Sequence, residues 1–263
     1  MIRKVSVAFL MVGLVALSGC VTTSTSPFAR EADRQEAIQN YVKLATAYIG
    51  QGNFERARHH LDRALELDPD NAAALSARGL VENANGEPEL AERSFREAID
   101  SDSGYTRGRV YYGAFLYAQG RFQDARNQFM AASRDTDYDD RASVFFNLGL
   151  TEERLKELER AETAYTRAVE LSRGEPRTLL ALSRVLVEEE KYSMASRYYS
   201  RLLSIMARNK SVTHSAESLY TGIRIARHFG DRDQEASLAL MLRNNFPDSV
   251  EYQQYKVLIS HGE

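Results

Sequence analysis

The chain has 263 residues, of which 43% are hydrophobic, with 34 basic and 37 acidic side chains and a net charge of −3. Such a length holds one or two domains, and the apolar fraction supplies a core, which excludes a wholly disordered chain. The mildly acidic balance argues against a nucleic-acid partner, which needs a basic face, and the single cysteine excludes a disulfide framework.

The chain opens on Arg3 and Lys4, an apolar run from Val5 to Leu17, and then Leu17-Ser18-Gly19-Cys20. This is the pattern of a bacterial secretory signal. Its ending, two small residues before the only cysteine, is that of a lipoprotein signal. The run of 13 residues is too short for a bilayer span, which needs roughly 18–20. Residues 1–19 are therefore expected to be cleaved. Cys20 is then expected to lead the mature chain, with diacylglycerol on its sulfur and an acyl group on its amine. At about 0.8 kcal/mol per buried methylene, several acyl chains make a stable anchor. An ordinary cleaved signal leaves a cysteine at the cleavage point without a reason. Removing residues 1–19 takes away Arg3 and Lys4, leaving 32 basic against 37 acidic groups and a net charge of −5. Val21, where an aspartate would stand in a retained protein, resembles Gram-negative lipoproteins sent to the outer membrane. A lipid-anchored, periplasm-facing outer-membrane location is the expectation. Residues 20–35 are assigned to the lipidated cysteine and a flexible tether, because the Thr/Ser-rich start lacks periodicity. About 15 extended residues reach at most ~50 Å, so the body would work close to the membrane.

The body, residues 36–263, repeats itself. An alanine ends the run Gly52-Asn53-Phe54-Glu55-Arg56-Ala57, then Gly86 to Ala91, then Gly120 to Ala125. Those alanines are 34 residues apart; Ala161 follows after 36 and Ala195 after another 34. Four residues on stand Leu61, Phe95, Phe129, Tyr165 and Tyr199. Seven on stand Ala64, Ala98, Ala132, Ala168 and Leu202, and twelve before stand Ala45, Gly79, Gly113, Gly149 and Ser183. This is the tetratricopeptide pattern, a 34-residue pair of antiparallel helices, A and B. Small residues let the helices approach and large ones fill the gaps on the next turn. Glycine lets the chain reverse between helices. Leu67-Asp68-Pro69-Asp70-Asn71 stops one unit and caps the next.

The fold class is therefore all-α: a right-handed superhelical solenoid of about six repeats with a C-terminal capping helix. The repeats are assigned to 38–71, 72–105, 106–139, 142–175 and 176–209. Asp140 and Arg141 form a two-residue insertion. A degenerate sixth unit covers 212–248, keeping Gly230 and Pro247 but moving its small residue to Ala236. A helix over 249–260 suits the polar end cap that a solenoid requires. Pro88 replaces the usual aromatic and is tolerable early in a helix.

Catalytic chemistry is missing from the sequence. His59 and His60 point about 100° apart on a helix and form no ready ligand pair. His214, His228 and His261 are scattered, and no cysteine remains for a metal. Glu188-Glu189-Glu190 is read as a solvated helix end, where like charges prefer water. No phosphate loop, nucleophile elbow or zinc-protease motif appears. The expectation is a protein that is not an enzyme, with no cofactor beyond the lipid on Cys20, no metal and no small-molecule substrate.

Solenoids of this type resemble one another in binding along the face lined by the A helices. Candidate groove residues are Val42, Ile49, Leu80, Val110, Ala114, Tyr117, Phe146, Leu150, Leu180 and Val187. The rows they belong to are mostly apolar and lack the converging Lys, Arg and Asn of a carboxylate clamp. They suit an apolar or amphipathic partner segment, or else they are core between neighbouring A helices.

Two stretches are more specific than the repeats. One runs from Tyr112-Gly113-Ala114-Phe115-Leu116-Tyr117 through Asp135-Thr136 to Val144-Phe145-Phe146-Asn147-Leu148-Gly149-Leu150. The other holds Leu219-Tyr220-Thr221-Gly222-Ile223-Arg224-Ile225-Ala226, Phe229-Gly230-Asp231-Arg232-Asp233, Phe246-Pro247-Asp248-Ser249 and Glu251-Tyr252-Gln253. With the signal ending at Cys20, these resemble the type IV pilus biogenesis lipoproteins PilW and PilF. The resemblance covers essentially the whole mature chain. It implies a pilotin, which brings the pilus secretin (a PilQ-like pore protein) to the outer membrane and promotes its multimerisation. The alternative is a tetratricopeptide scaffold for another envelope machine, in peptidoglycan synthesis or hydrolysis or in outer-membrane protein assembly.

Overall fold

The computed structural model describes residues 27–260 and holds thirteen helices and no strand among them. Residues 1–26, with the signal ending and Cys20, lie outside the described residues. In chain order the helices are α1 (Pro27–Gly50), α2 (Phe54–Leu67), α3 (Ala72–Ala84), α4 (Pro88–Ser101), α5 (Thr106–Ala118), α6 (Phe122–Ala132) and α7 (Arg141–Arg154). They continue as α8 (Leu158–Leu171), α9 (Pro176–Glu188), α10 (Tyr192–Arg208), α11 (Ala216–His228), α12 (Arg232–Asn245) and α13 (Val250–Ser260). Odd-numbered helices up to α11 are the A helices and even-numbered ones the B helices. Each A helix packs on its own B helix, and each B helix leans on the next A helix, so the fold is an all-α tetratricopeptide solenoid.

The repeat landmarks are the core. Ala57, Ala91, Ala125, Ala161 and Ala195, the large residues four on and the residues seven on are all 0–3% exposed. Each large side chain adds about 1.5–3 kcal/mol by leaving water. The glycines of the A helices exist to admit these rings. A Cβ on Gly79 would stand 2.8 Å from Phe95, one on Gly113 2.8 Å from Phe129, and one on Gly149 2.5 Å from Tyr165.

Helix ends follow local chemistry. Asn53 caps α2 by accepting from the Arg56 N–H, and Asn71 caps α3 by accepting from the Ala74 N–H at 3.0 Å. Pro88 is the first residue of α4, where its missing N–H is harmless. The six A-to-B turns each contain one residue with positive φ: Gly52, Gly86, Gly120, Lys156, Glu190 and Gly230. The two-residue insertion becomes an N-terminus: Asp140 accepts from the Ser143 N–H and Arg141 opens α7. The preceding α6 is the shortest of the B helices, at 11 residues.

Three expectations need correction. Residues 27–35 are helical and not part of a tether, since α1 starts at Pro27. This stretch is made of good helix formers, and the Arg34 guanidinium reaches over to the Leu67 carbonyl at the end of α2. Ala236 is exposed and does not take the small packing position of the sixth unit. Leu238, Ala239 and Leu242 are buried there instead, with Leu238 against Gly222. Counted from Gly230, Ala239 and Leu242 hold the places nine and twelve on that Phe95 and Ala98 hold after Gly86, and Ala236 falls one residue past the small position, which Glu235 occupies. The capping helix is less polar than expected. Ser249 caps α13 and Tyr252 and Tyr255 pack on the sixth unit, but Val250 and Val257 are exposed beside Gln253, Gln254 and Lys256.

Candidate partner-binding groove

The A helices touch in series, α1 to α3 to α5 to α7, then α9 to α11, which in turn meets α13. The face they share changes character along the chain. At its N-terminal end α1, α3 and α5 enclose a cavity of about 590 Å³. Ile38, Val42, Ala47, Ala73 and Tyr105 supply its apolar surface, and Gln39, Thr46 and Asn71 supply amides and a hydroxyl. The size falls within the ~300–1,000 Å³ of typical ligand clefts. Tyr105 lies flat because Gly108 has no side chain; a Cβ there would stand 2.8 Å from its ring. Burial pushes the pKa of the Tyr105 hydroxyl up.

The charges of this cavity are all positive. Lys43 and Arg107 line it, and no carboxylate does. Lys43 is exposed and makes no ion pair among the described residues. Arg107 is also exposed and lies near Tyr105, Tyr111 and Tyr138, without a carboxylate partner among the described residues. Asn71 is occupied, since its side chain caps α3 and donates to Asp68.

Of the predicted groove residues, Val42 lines this cavity, and Ala114 is exposed on α5. Ile49, Leu80, Val110, Tyr117, Phe146, Leu150 and Leu180 are half-buried, each with one side on a core cluster. They serve both as core and as face. Arg177 lies over the Phe146 ring at 4.6 Å, and Arg154 lies over Phe122 at 4.3 Å and Tyr117 at 5.9 Å. Val187 is corrected: it is 1% exposed and belongs to the core. The sixth unit closes over it, because α11 packs directly on α9.

The C-terminal half of the face is charged, contrary to the apolar reading of its rows. Arg184 on α9 holds Glu153 on α7 with two contacts, at 2.6 and 2.7 Å, and reaches Glu217 on α11 at 2.5 Å. The Tyr165 hydroxyl donates to Glu153 at 2.8 Å. Burial disfavours the Arg184 charge, but the hydrogen bonds and charge of Glu153 outweigh it and raise the pKa. Arg224 on α11 pairs with Glu188 on α9. This chain of charges joins three A helices and pairs each base with an acid, although the Arg184 Nε–H is buried without a hydrogen bond of its own. It was hidden in the sequence because Glu217 lies in the degenerate unit, outside the repeat template.

A second large cavity, about 680 Å³, lies between α6 and α8 against the flank of α7. Met130, Phe145, Leu148 and Ala164 line it, and its charged rim is largely paired, Glu152 with Arg126 and Glu170 with Arg167. Among the described residues no group of three or more His, Cys, Asp or Glu side chains could hold a metal ion, and no helix is long and apolar enough to cross a membrane.

A linear stack of helix pairs with a half-buried apolar face is the architecture of a tetratricopeptide protein, and the sequence matches that repeat family over residues 42–106 and 116–176. A more particular relation comes from a protein of Pseudomonas aeruginosa named type IV pilus assembly protein PilF. It is 37% identical over 243 residues, covering 92% of this chain and 94% of that one. The solved structure of Pseudomonas aeruginosa PilF superposes with a TM-score of 0.76 at 36% identity, covering 86% of this chain and 99% of that one. The structure of PilW, described as a type IV pilus biogenesis factor, superposes with a TM-score of 0.67 at 22% identity, covering 83% and 97%, a likeness of fold. The chain belongs to the PilF/PilW family of tetratricopeptide proteins of type IV pilus biogenesis.

Proposed function

We propose that this protein is a pilotin: a lipoprotein that carries the type IV pilus secretin to the outer membrane and promotes its assembly into a multimeric pore. One observation carries the reading, the 37% identity to PilF across 92% of the chain, which reaches well beyond the generic repeats. The signal ending at Cys20 supports the anchor, and Val21 supports sorting to the outer membrane. In this reading the protein binds and holds; it turns over no substrate. The first two repeats and α5 present a cavity with an apolar floor to a secretin segment, which stays shielded from other chains until the pore forms. The charged C-terminal half braces the face that the partner docks on.

Replacing Val42 with Asp tests the placement. The side chain is half-buried at the cavity, so the substitution puts a carboxylate where an apolar group would sit. The expected result is loss of secretin copurification with an unchanged helical spectrum. Unchanged copurification would move the partner site elsewhere on the solenoid.

A further inference from the structure

The cavity of α1, α3 and α5 differs in charge from four others on the solenoid. Carboxylates line each of those: Glu152 and Glu170 between α6 and α8, Glu89, Glu92, Glu97 and Asp100 along α4, Glu82 and Glu87 between α2 and α4, and Glu188 beside α13. Only cations line the N-terminal cavity, in a chain with more acids than bases. Lys43 comes from α1 and Arg107 from α5, so the two charges of one cavity are brought in from different repeats. Neither meets a carboxylate among the described residues. Arg107 stands among tyrosines, with Tyr105, Tyr111 and Tyr138 beside it. The same cavity has an apolar floor, Val42, Ala73 and the nearly inaccessible Ile38 at 2% exposure.

We infer that this cavity takes a segment of a partner protein bearing a carboxylate among apolar side chains, the carboxylate seated between Lys43 and Arg107. The inference rests on the cavity being the partner site of the pilotin reading and adds the chemistry of what it accepts. The apolar side chains cover Val42 and Ala73. The carboxylate supplies the counter-charge that the protein leaves out, through charge-assisted hydrogen bonds from the ammonium and the guanidinium. Charge of this kind selects among apolar segments and speeds encounter more than it adds affinity. Sequence reasoning passed over it because Lys43 falls outside the repeat's groove offsets. It joins Arg107 only when the first three repeats are stacked.

The test uses the full mature protein and three acetylated, amidated peptides of about twelve residues, identical and apolar except for Asp, Asn or Lys at the centre. Fluorescence polarisation is read at about 50 mM and about 500 mM salt. The expected order is Asp tighter than Asn tighter than Lys, with Asp about tenfold ahead of Lys at low salt and the gap shrinking at high salt. In the K43Q/R107Q protein the three peptides are expected to bind alike. Equal affinities for the wild type, a preference for Asp that survives in K43Q/R107Q, or binding of none of the three would each overturn the inference. Secretin multimers in cells separate this from the parent reading. If multimers require the protein and respond to V42D but not to the charge-reversed K43E/R107E, the carboxylate seat is wrong and the pilotin reading stands. If multimers never require the protein, the parent reading fails, while the peptide result still decides the chemistry of the cavity.

Discussion

At the scale of single residues, the solenoid is built on shape pairs that leave little slack. Tyr165 fills the space over Gly149 so closely that an added Cβ would stand 2.5 Å from its ring. Gly149→Ala is therefore expected to destabilise by about 1–3 kcal/mol, as overpacking does, read as a lower midpoint in urea. Left-handed positions tell the opposite story. Lys156 (φ 65°) and Glu190 (φ 59°) are exposed and occupy turns where other units place glycine. A left-handed conformation costs an L-residue about 1–2 kcal/mol, part of which glycine's greater chain entropy offsets. Lys156→Gly and Glu190→Gly should each stabilise by about 0.5–1 kcal/mol, seen as a rise in Tm of about 1–4 °C. The sequence reveals the glycine turns and conceals these two, because only the backbone marks them. The same holds for Val187. Its spacing places it on the groove face, and only the packing of the sixth unit shows that it is core.

At the scale of elements, charges link helices from different units. Glu92 on α4 accepts from the Tyr112 hydroxyl of α5 at 2.9 Å and meets Arg121, at the start of α6, at 2.8 Å and Arg96 at 2.6 Å. Burial raises its pKa, but hydrogen bonds from Arg121 and Tyr112 and the charges of Arg121 and Arg96 together bring it below the ordinary value. A carboxyl with a depressed folded-state pKa stabilises fully above its unfolded value, near 4.3, and loses that contribution as pH falls through the folded value. Glu92→Gln should thus lower Tm at pH 7, and the difference from the native protein should vanish toward pH 3. A constant difference across that range would show that the glutamate acts by packing alone. Helix boundaries were legible where caps and turns have strong chemistry, at Asn71 and Pro88. The first turns of α1 were not, because residues 27–35 precede the repeat template and carry no repeat landmark.

At the scale of the molecule, stability of a stack is roughly a sum over units and their interfaces. Helix α13 ends the stack by placing Tyr252 and Tyr255 on the core of the sixth unit, near Leu219 and Leu242. A chain ending at Asp248 should melt several degrees lower and aggregate at lower concentration, because that apolar face would meet water. The register of five repeats was readable from residue spacing alone, since each landmark is a core contact. The charge of the N-terminal cavity was not, because it arises between repeats.

The central claim is that the protein delivers and assembles the pilus secretin from a lipid anchor. The most direct measurement compares SDS-resistant secretin multimers in outer membranes from native cells, a deletion strain and a strain carrying Cys20→Ala. The account predicts that multimers vanish in the deletion and are lost or misplaced without the lipid. Normal multimers in all three strains would contradict it and direct attention to a different envelope partner for the same groove.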